Sequence, residues 1–435
     1  PDVMVRVRLD QPPIRRIAAR AADVAGFGWR SFAPAPLAHP VAATVGGAGG
    51  DAVGNAPEGA VVLANGLVAV VVDPTDGTFA VDGLAGFGRL VDGGDLGDSY
   101  NYSPPRRDAT VDAPETVTVV IGDRGPVRAT AVVTATYRWP DHVDGTSQAR
   151  VGDHLVDVTT TIDVRADEPT VRVTTGFVNP SRDHRLRVHL PLPEPATESE
   201  AECAFATVRR GLTAEGRPDE LGLPTFPSRR FVRAGGLTVV HDGVAEYELV
   251  DITGGAGGND TASGAGGDNT VGGSDGAEPV AHALALTLLR STGMLSRLGR
   301  AYRPFPAGPL TPVDGLQLVG RRIEARYAVA VGPVDPWTLA DDVLLPLEVV
   351  GSLGGGWRPA HGSALDVDGA EVTAVRRVAG LLEVRVFNPS PETTTVSLGA
   401  RAGWLVDLRG RPLEPVEGHF PLRPHGIATV RLSRE

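Results

Sequence analysis

The sequence predicts an all-β protein in which a large sandwich is followed by a smaller C-terminal β-sandwich. Apolar and polar residues alternate in short runs, as from Val3 to Leu9, and this period of two is typical of half-buried strands. Such runs recur at short spacing, with turn-forming Gly, Pro, Asn and Asp between them. Helical periodicity is not sustained over residues 61–190, so we expect this part of the chain to be built from strands.

The order of these runs divides the chain into three units. Residues 1–45 are interpreted as a short β remnant of a small domain with a linker, because 33–60 is rich in Ala, Pro and Gly. Residues 46–345 form the large sandwich and 346–435 the small one. The strands expected in the large unit are 61–72, 117–121, 127–139, 154–164, 170–177 and 185–190. Those expected in the small unit are 364–367, 371–375, 381–390, 394–398, 404–408 and 427–432.

Composition narrows the classes of function. Of the 435 residues, 42% are hydrophobic, which is enough for a sizeable core. The net charge of −12 argues against nucleic acid as a partner, because phosphate binding needs a basic surface. No apolar run reaches the ~18 residues of a membrane helix and no leader follows Pro1, so we expect a cytoplasmic protein without a membrane partner. The single cysteine, Cys203, excludes an intrachain disulfide. All 41 basic residues are arginine, which suggests a GC-rich bacterial genome.

The stretch 92–105 is the strongest candidate for a binding loop. It holds three glycines that allow tight bends and ends on two prolines that prevent a helix or central strand. Carboxylates and phenols held on such a loop suit recognition of sugar hydroxyls, whereas composition alone favours a surface turn. The acids and phenols of the stretch are Asp92, Asp95, Asp98, Tyr100 and Tyr102.

Two further segments limit what the chain can do. His184 and His189 lie five residues apart in a strand-like run, so we expect them on opposite faces and not on one metal. Asp183 beside Arg185 is either a functional pair or an ion pair that braces the entrance of a strand.

Residues 254–277 are a Gly-rich tract that cannot bury enough surface to fold alone, and we interpret them as a flexible insertion within a hairpin. Asp242-Gly243, just before it, predicts a short turn between two paired strands.

Several segments, in order, resemble the C-terminal β region of glycoside hydrolase family 38, the zinc-dependent α-mannosidases. The strand and turn at 65–77 are followed by Gly97-Asp98-Ser99-Tyr100, which matches the family's Gly-Asp-x-Tyr loop. Residues 178–188 resemble its Asp-His-Arg-Leu-Arg segment. The other matching segments are 220–248, 283–296, 335–340, 387–390 and 424–430.

This resemblance implies a galactose-mutarotase-like β-super-sandwich as the large unit and retaining hydrolysis of α-mannosides by the complete enzyme. In the family, a preceding α/β domain holds zinc through two Asp and two His and supplies the catalytic carboxylates. That domain would lie before Pro1, so no residue here is assigned as catalytic or as a metal ligand. The implied partners are an α-mannoside or oligosaccharide substrate and the N-terminal catalytic domain of the same protein.

The resemblance also ranks the candidates for substrate binding. The family's tyrosine at the place of Tyr100 reaches the catalytic domain and contacts the bound mannose. Asp98, Asn101 and Tyr102 are weaker candidates for the same wall of the sugar site. Two alternatives stay open: a free-standing carbohydrate-binding protein without activity, and a sandwich enzyme of the mutarotase type that acts on sugars by itself. The sequence also leaves open a homo-oligomer and the linkage that is preferred.

Overall fold

The computed structural model describes residues 18–46, 56–244, 246–254, 278–349 and 359–433. The strand expected at 3–9 lies outside the described residues, as does nearly all of the tract 254–277. Short antiparallel strands joined by turns make up most of the described chain. The strands before residue 200 are β1 (Gly28–Arg30), β2 (Ala42–Val45), β3 (Val61–Ala64), β4 (Ala69–Val72), β5 (Phe79–Val81), β6 (Leu84–Phe87), β7 (Arg89–Gly94), β8 (Thr116–Arg124), β9 (Arg128–Trp139), β10 (His142–Val143), β11 (Arg150–Val151), β12 (His154–Arg165), β13 (Val171–Val178), β14 (His184–Ala196) and β15 (Glu198–Cys203).

The second half continues the pattern and adds one helix among the described residues. The remaining elements are β16 (Ala206–Gly211), β17 (Thr225–Pro227), β18 (Phe231–Ala234), β19 (Leu237–Asp242), β20 (Glu246–Thr253), β21 (Val280–Ser291), β22 (Arg322–Val331), α1 (Pro336–Leu344), β23 (His361–Ser363), β24 (Glu371–Val378), β25 (Leu381–Phe387), β26 (Thr394–Val406), β27 (Pro412–Leu422) and β28 (Ile427–Leu432).

Three sheets enclose the main core. A nine-stranded sheet has the order β16-β15-β18-β19-β22-β13-β12-β9-β8, and a five-stranded sheet has the order β17-β20-β21-β14-β7. A meander of β2 to β6 forms the third sheet. Side chains from all three, such as Val70, Ile162 and Leu186, belong to one buried cluster. Burial of apolar surface between facing sheets is the main stabilising term of such a sandwich.

The C-terminal unit is a separate five-stranded sheet with the order β24-β25-β28-β26-β27 and its own core around Val384, Leu398 and Val430. Helix α1 connects it to the large sandwich. Asp335 caps the helix, since its carboxylate accepts from the backbone N–H of Thr338 at 2.9 Å. Trp337 then packs with its ring centroid 5.2 Å from Phe231 and 5.4 Å from Phe387, so one aromatic cluster joins both units.

The predicted all-β sandwich fold is confirmed, and three local predictions need correction. The strand expected at 61–72 is two strands, because the side chain of Asn65 accepts from the N–H groups of Leu67 and Val68 and turns the chain. Strands β19 and β20 do not pair across Asp242-Gly243; they belong to different sheets. The supposed linker at 33–60 contains β2, which pairs with β3, so the large sandwich begins before residue 46. The hairpin around the Gly-rich tract is confirmed, since Thr253 pairs with Val280.

Candidate functional site

The loop 92–105 leaves the end of β7 and is fixed by buried charge. Asp92, Asp95 and Asp98 are all fully buried, although the sequence pattern suggested acids facing a ligand or solvent. A buried carboxylate is costly unless it is paired and hydrogen-bonded. Each of the three has an arginine partner from a distant part of the chain, namely Arg150, Arg290 and Arg303.

Asp92 anchors the start of the loop. One carboxylate oxygen accepts from Arg150, and the other lies 2.6 Å from Nδ1 of His184. Nε2 of His184 lies 3.0 Å from the side-chain oxygen of Asn179, so both ring nitrogens face an acceptor. Burial raises the pKa of Asp92, but His184 and Arg150 outweigh it and hold the pKa below its usual value. His184 is therefore a buried structural group.

Asp95 shapes the middle of the loop. One oxygen lies 2.8 Å from Nε of Arg290, at the end of β21. The other oxygen accepts from the backbone N–H groups of Gly97 at 2.8 Å and Ser103 at 3.2 Å. No Cβ fits at Gly97, because it would lie 2.0 Å from the carbonyl oxygen of Asn101. The glycine is needed for this close approach of the chain to itself.

Asp98 connects the tip of the loop to the segment 294–305. It accepts from the guanidinium of Arg303 and from the backbone N–H groups of Arg297, Tyr100 and Asn101. Burial opposes the charged form, but these hydrogen bonds lower the pKa of Asp98 below its usual value. The structure therefore gives Asp98 the task of holding the loop, with no exposed oxygen for a ligand.

Tyr100 is the predicted site residue that the structure exposes. Its side chain is 53% exposed at the tip of the loop, and the guanidinium carbon of Arg303 lies 5.7 Å from its ring centroid. Arg303 also donates to Asn101 Oδ1 at 3.0 Å and to the carbonyl of Phe305 at 2.7 Å. One arginine thus fixes Asp98, Asn101 and the ring of Tyr100 together.

Tyr102 lies half-buried on the inner side of the loop. The guanidinium carbon of Arg185 lies 3.6 Å from its ring centroid, a close cation–π contact. Burial raises the pKa of Tyr102 to about 12, against the opposing effect of Arg185 and Arg187. Its hydroxyl therefore stays protonated near neutral pH and can donate a hydrogen bond.

Tyr100, Asn101 and Tyr102 line one cleft of about 580 Å³. This volume lies within the usual range of small-molecule sites. The other side of the cleft comes from the large sandwich. The residues that line it there are Arg209, Arg210, Gly211, Thr213, Ala214, Glu215, Glu220, Leu221, Gly222, Leu223, Thr225, Phe226 and Glu246.

Sequence reasoning missed the buried charges behind Tyr102. Arg185 and Arg187 project from one face of β14 toward Glu248 at 3.5 and 3.2 Å, and all three are buried. Burial, with Arg187 next, lowers the pKa of His189 on the same face to about 2. The sequence did show that Arg185, Arg187 and His189 alternate with apolar residues, which places them together on the second face of the strand. That this face is also buried depends on the packing.

The two histidines occupy opposite faces of β14, as the spacing predicts. His184 contacts the ring of Trp139 in the core, and Nδ1 of His189 lies 3.1 Å from Arg89 on the other face. Asp183 pairs with Arg297 at 3.2 Å and with Gln317, so it braces the strand entrance, although its partner is not Arg185. In the part of the chain that the structure describes, no group of three or more His, Cys, Asp or Glu side chains is arranged to hold a metal ion.

The sheets and loop described here define an all-β sandwich protein, and this fold recurs in solved structures. An α-mannosidase from Enterococcus faecalis V583 superposes with a TM-score of 0.65 at 19% identity, over 86% of this chain and 42% of its own. A protein in the glycosyl hydrolase family 38 from Enterococcus faecalis superposes with a TM-score of 0.63 at 18% identity, over 92% of this chain and 53% of its own. The chain spans about half the length of these neighbours. At this identity the likeness establishes the fold.

Sequence comparisons add no closer assignment. Neither a protein-family model nor a curated protein matches the chain. Among the described residues there is also no helix long and apolar enough to cross a membrane.

Proposed function

We propose that this chain is the C-terminal β portion of a bacterial α-mannosidase of glycoside hydrolase family 38. The supporting observation is the fold, which is shared over 86–92% of the chain with structures that carry this description. The ordered motif matches at 97–100, 178–188 and 283–296 point the same way. The complete enzyme would hydrolyse α-mannosides with retention, and this chain would supply scaffold and one wall of the sugar site.

Tyr100 is the residue of this wall that meets the substrate. A phenol can donate to or accept from a sugar hydroxyl while its ring covers an apolar sugar face. The rigid loop supports this role, because fixing a contact beforehand avoids an entropy cost on binding. Asn101 and Tyr102 would stand beside it, and Asp98 would act through the position of the loop.

Zinc belongs, in this proposal, to a catalytic domain that precedes Pro1. The described residues offer no donor set for it. Its chemistry in the complete enzyme would be to bind sugar hydroxyls and stabilise charge. We further propose a cytoplasmic location. A measurement of molecular mass in solution would show whether the protein forms a homo-oligomer.

The experiment compares the 435-residue chain with the product of the longer coding region. We expect the chain alone to show no α-mannosidase activity and no stoichiometric zinc, and the longer protein to show both. Metal analysis that finds one tightly bound zinc per isolated chain would contradict the proposal. A coding region that starts within this chain would instead favour a free-standing carbohydrate-binding protein, which the cleft beside Tyr100 also suits.

A further inference from the structure

Strand β8 is an open edge of the nine-stranded sheet. It lies last in the strand order and pairs with β9 on one side. Among the described residues, the backbone of 116–121 forms hydrogen bonds with β9 alone. In an antiparallel ladder, every second residue of an edge strand directs its N–H and C=O away from its partner. The free side of β8 therefore offers a row of donors and acceptors with which another strand can pair.

The other edge strands of the large described sheets are protected against such pairing. Proteins protect edges with charged side chains, proline, bulges or very short strands. Residues 116–121 contain no charge, proline or glycine, and they pair with β9 in continuous register. The protected edges are β2 and β6 with four residues each, β17 with three, β7 with Arg89 and Asp92, β16 with Arg209 and Arg210, β24 with Arg376 and Arg377, and β27 with Pro412, Pro415 and Pro421.

The side chains of β8 leave apolar surface for a partner strand to cover. Val117, Val119 and Ile121 face the main core but are only partly buried, because the sheet ends beside them. Strand β2, the edge of the meander, packs against β8, so both layers of the sandwich end on this side. On the outer face, Val120 is 52% exposed. A strand added at this edge would bury apolar surface as well as satisfy the backbone.

The two ends of β8 carry opposite charge. At the start, Glu115 and Asp153 share one arginine, Arg138, at 2.5 and 2.8 Å, so this end keeps a net negative charge. At the other end, Arg124 forms no ion pair within the described part of the chain. Two copies of β8 that run antiparallel bring the Arg124 end of each beside the Glu115 end of the other, whereas parallel copies would bring like charges together.

The strand is also complementary to itself along its length. The carboxylate of Asp123 is already paired with Arg128 at 3.0 Å, so it does not cancel the charge of Arg124. Residues directly opposite in an antiparallel pair share one face of the sheet. The face of Val119 would therefore meet valine and isoleucine, and the face of Thr118 would meet threonine and valine. Such a self-complementary surface is what a two-fold interface between identical chains requires.

We propose that β8 is the interface of a homodimer, in which residues 116–121 of two copies pair as antiparallel strands about a two-fold axis. The two nine-stranded sheets then form one continuous sheet. The strand edge is short, and small interfaces give weak association, so the dissociation constant should lie in the micromolar range. The inference goes beyond the proposed function and does not rest on it, because it concerns a surface away from the loop 92–105.

The test is sedimentation of the 435-residue chain and of the longer protein between ~1 and ~200 μM. The mass of the chain should rise with concentration from the 45.2 kDa of a monomer toward twice that value, and the mass of the longer protein should double likewise. Amide hydrogen exchange locates the contact. The amides of 116–121 should exchange more slowly at the high concentration than at the low one.

Charge placed on β8 tests the pairing itself. Val120→Lys puts lysines of the two copies close together in the dimer, and it should weaken association at least tenfold. Val120→Glu should have the same effect. An equimolar mixture of the two variants should associate again, because the charges then attract. Thermal unfolding reports whether each variant folds, and Thr118→Lys and Thr118→Glu replace this pair if they do not.

The matched control is Thr159→Lys. Thr159 is an exposed residue of β12, two strands away from the edge, so this variant should dimerise like the original chain. A monomer at every concentration in either protein, equal association of Val120→Lys and the original chain, or a mixture that does not recover would overturn the inference. So would a dimer with unchanged exchange at 116–121. None of these results bears on α-mannosidase activity, so failure here leaves the proposed function standing.

Discussion

Two regions of this molecule bury carboxylates, and they do so in different ways. In the loop 92–105, each buried aspartate has its own arginine. At the junction between the sandwiches, the buried Glu202, the partly buried Glu371 and the half-exposed Asp341 lie around Arg230, and Glu202 is also 3.7 Å from Arg229. Arg230 already lies 2.7 Å from both Glu202 and Asp341.

The difference appears in the proton affinity of the acids. The pKa of Asp92 and of Asp98 is lowered, because arginine and other donors outweigh the cost of burial. Burial, reinforced by Asp341, raises the pKa of Glu371 to about 7, and Arg230 opposes this only in part. The donors beside Asp92 and Asp98 thus outweigh the cost of burial, whereas the arginine near Glu371 does not.

The largest expected effect comes from breaking one loop pair. Arg303→Met leaves Asp98 buried without its cation, which should lower the free energy of unfolding by about 3–5 kcal/mol. Urea denaturation measures this, with Arg326→Met as the control because Arg326 is an exposed arginine with two carboxylate partners. The double variant Asp98→Asn/Arg303→Met should recover part of the loss. Equal stability of the Arg303 and Arg326 variants would show that the loop pairs are not structural.

The contribution of Glu371 to the free energy of unfolding should change with pH in the opposite sense to that of a paired carboxylate such as Asp98. The pKa of Glu371 is raised in the folded state above the ordinary 4.5, so the unfolded chain loses the proton first. Stability contributed by this group is then full below pH ~4.5 and is lost as pH rises to about 7. Glu371→Gln should raise the free energy of unfolding by about 1–2 kcal/mol at pH 8 and leave it unchanged at pH 4.

Unfolding at both pH values gives this measurement. Asp98→Asn provides the contrast, because the stability from a lowered pKa is present above the ordinary 3.8 and this variant should therefore be damaging at both pH values. If Glu371→Gln destabilises the protein at pH 8, the glutamate is charged and paired there, and the comparison between the two regions fails.

Tyr100 tests whether the rigid loop serves a ligand. Tyr100→Phe in the longer enzyme removes one hydrogen bond to a neutral sugar hydroxyl. The value of kcat/KM on an α-mannoside should therefore fall by an amount that corresponds to a loss of about 0.5–1.5 kcal/mol in transition-state binding. The unfolding midpoint should not move, because the hydroxyl is at an exposed tip. Unaltered kcat/KM would remove Tyr100 from the site.

The smallest effect should come from the tract 254–277, whose sequence contains no lysine or arginine. Replacing it with a short Gly-Ser turn should change the free energy of unfolding by less than ~1 kcal/mol, because loop-closure entropy varies slowly with length. A much larger fall in the unfolding midpoint would show that the tract packs against the sandwich.

The sequence by itself determined the fold class and much of the local order. Alternation predicted strands such as β9 and β13, and the spacing of His184 and His189 placed them on opposite faces. These features depend on neighbours along the chain. The turn at Asn65 was also readable, but the apolar run around it concealed the break between β3 and β4.

Only the tertiary structure decided what the acids of the loop do. Asp98 and Arg303 are 205 positions apart, and Asp95 and Arg290 are 195 apart, so no local pattern links them. The same holds for Thr225 and Glu246 at the cleft, which lie on one face of the sheet because β17 pairs with β20. Whether a carboxylate faces solvent, a ligand or an arginine depends on which strands become neighbours. That choice is made by burial of the whole core and not by the residues beside the carboxylate.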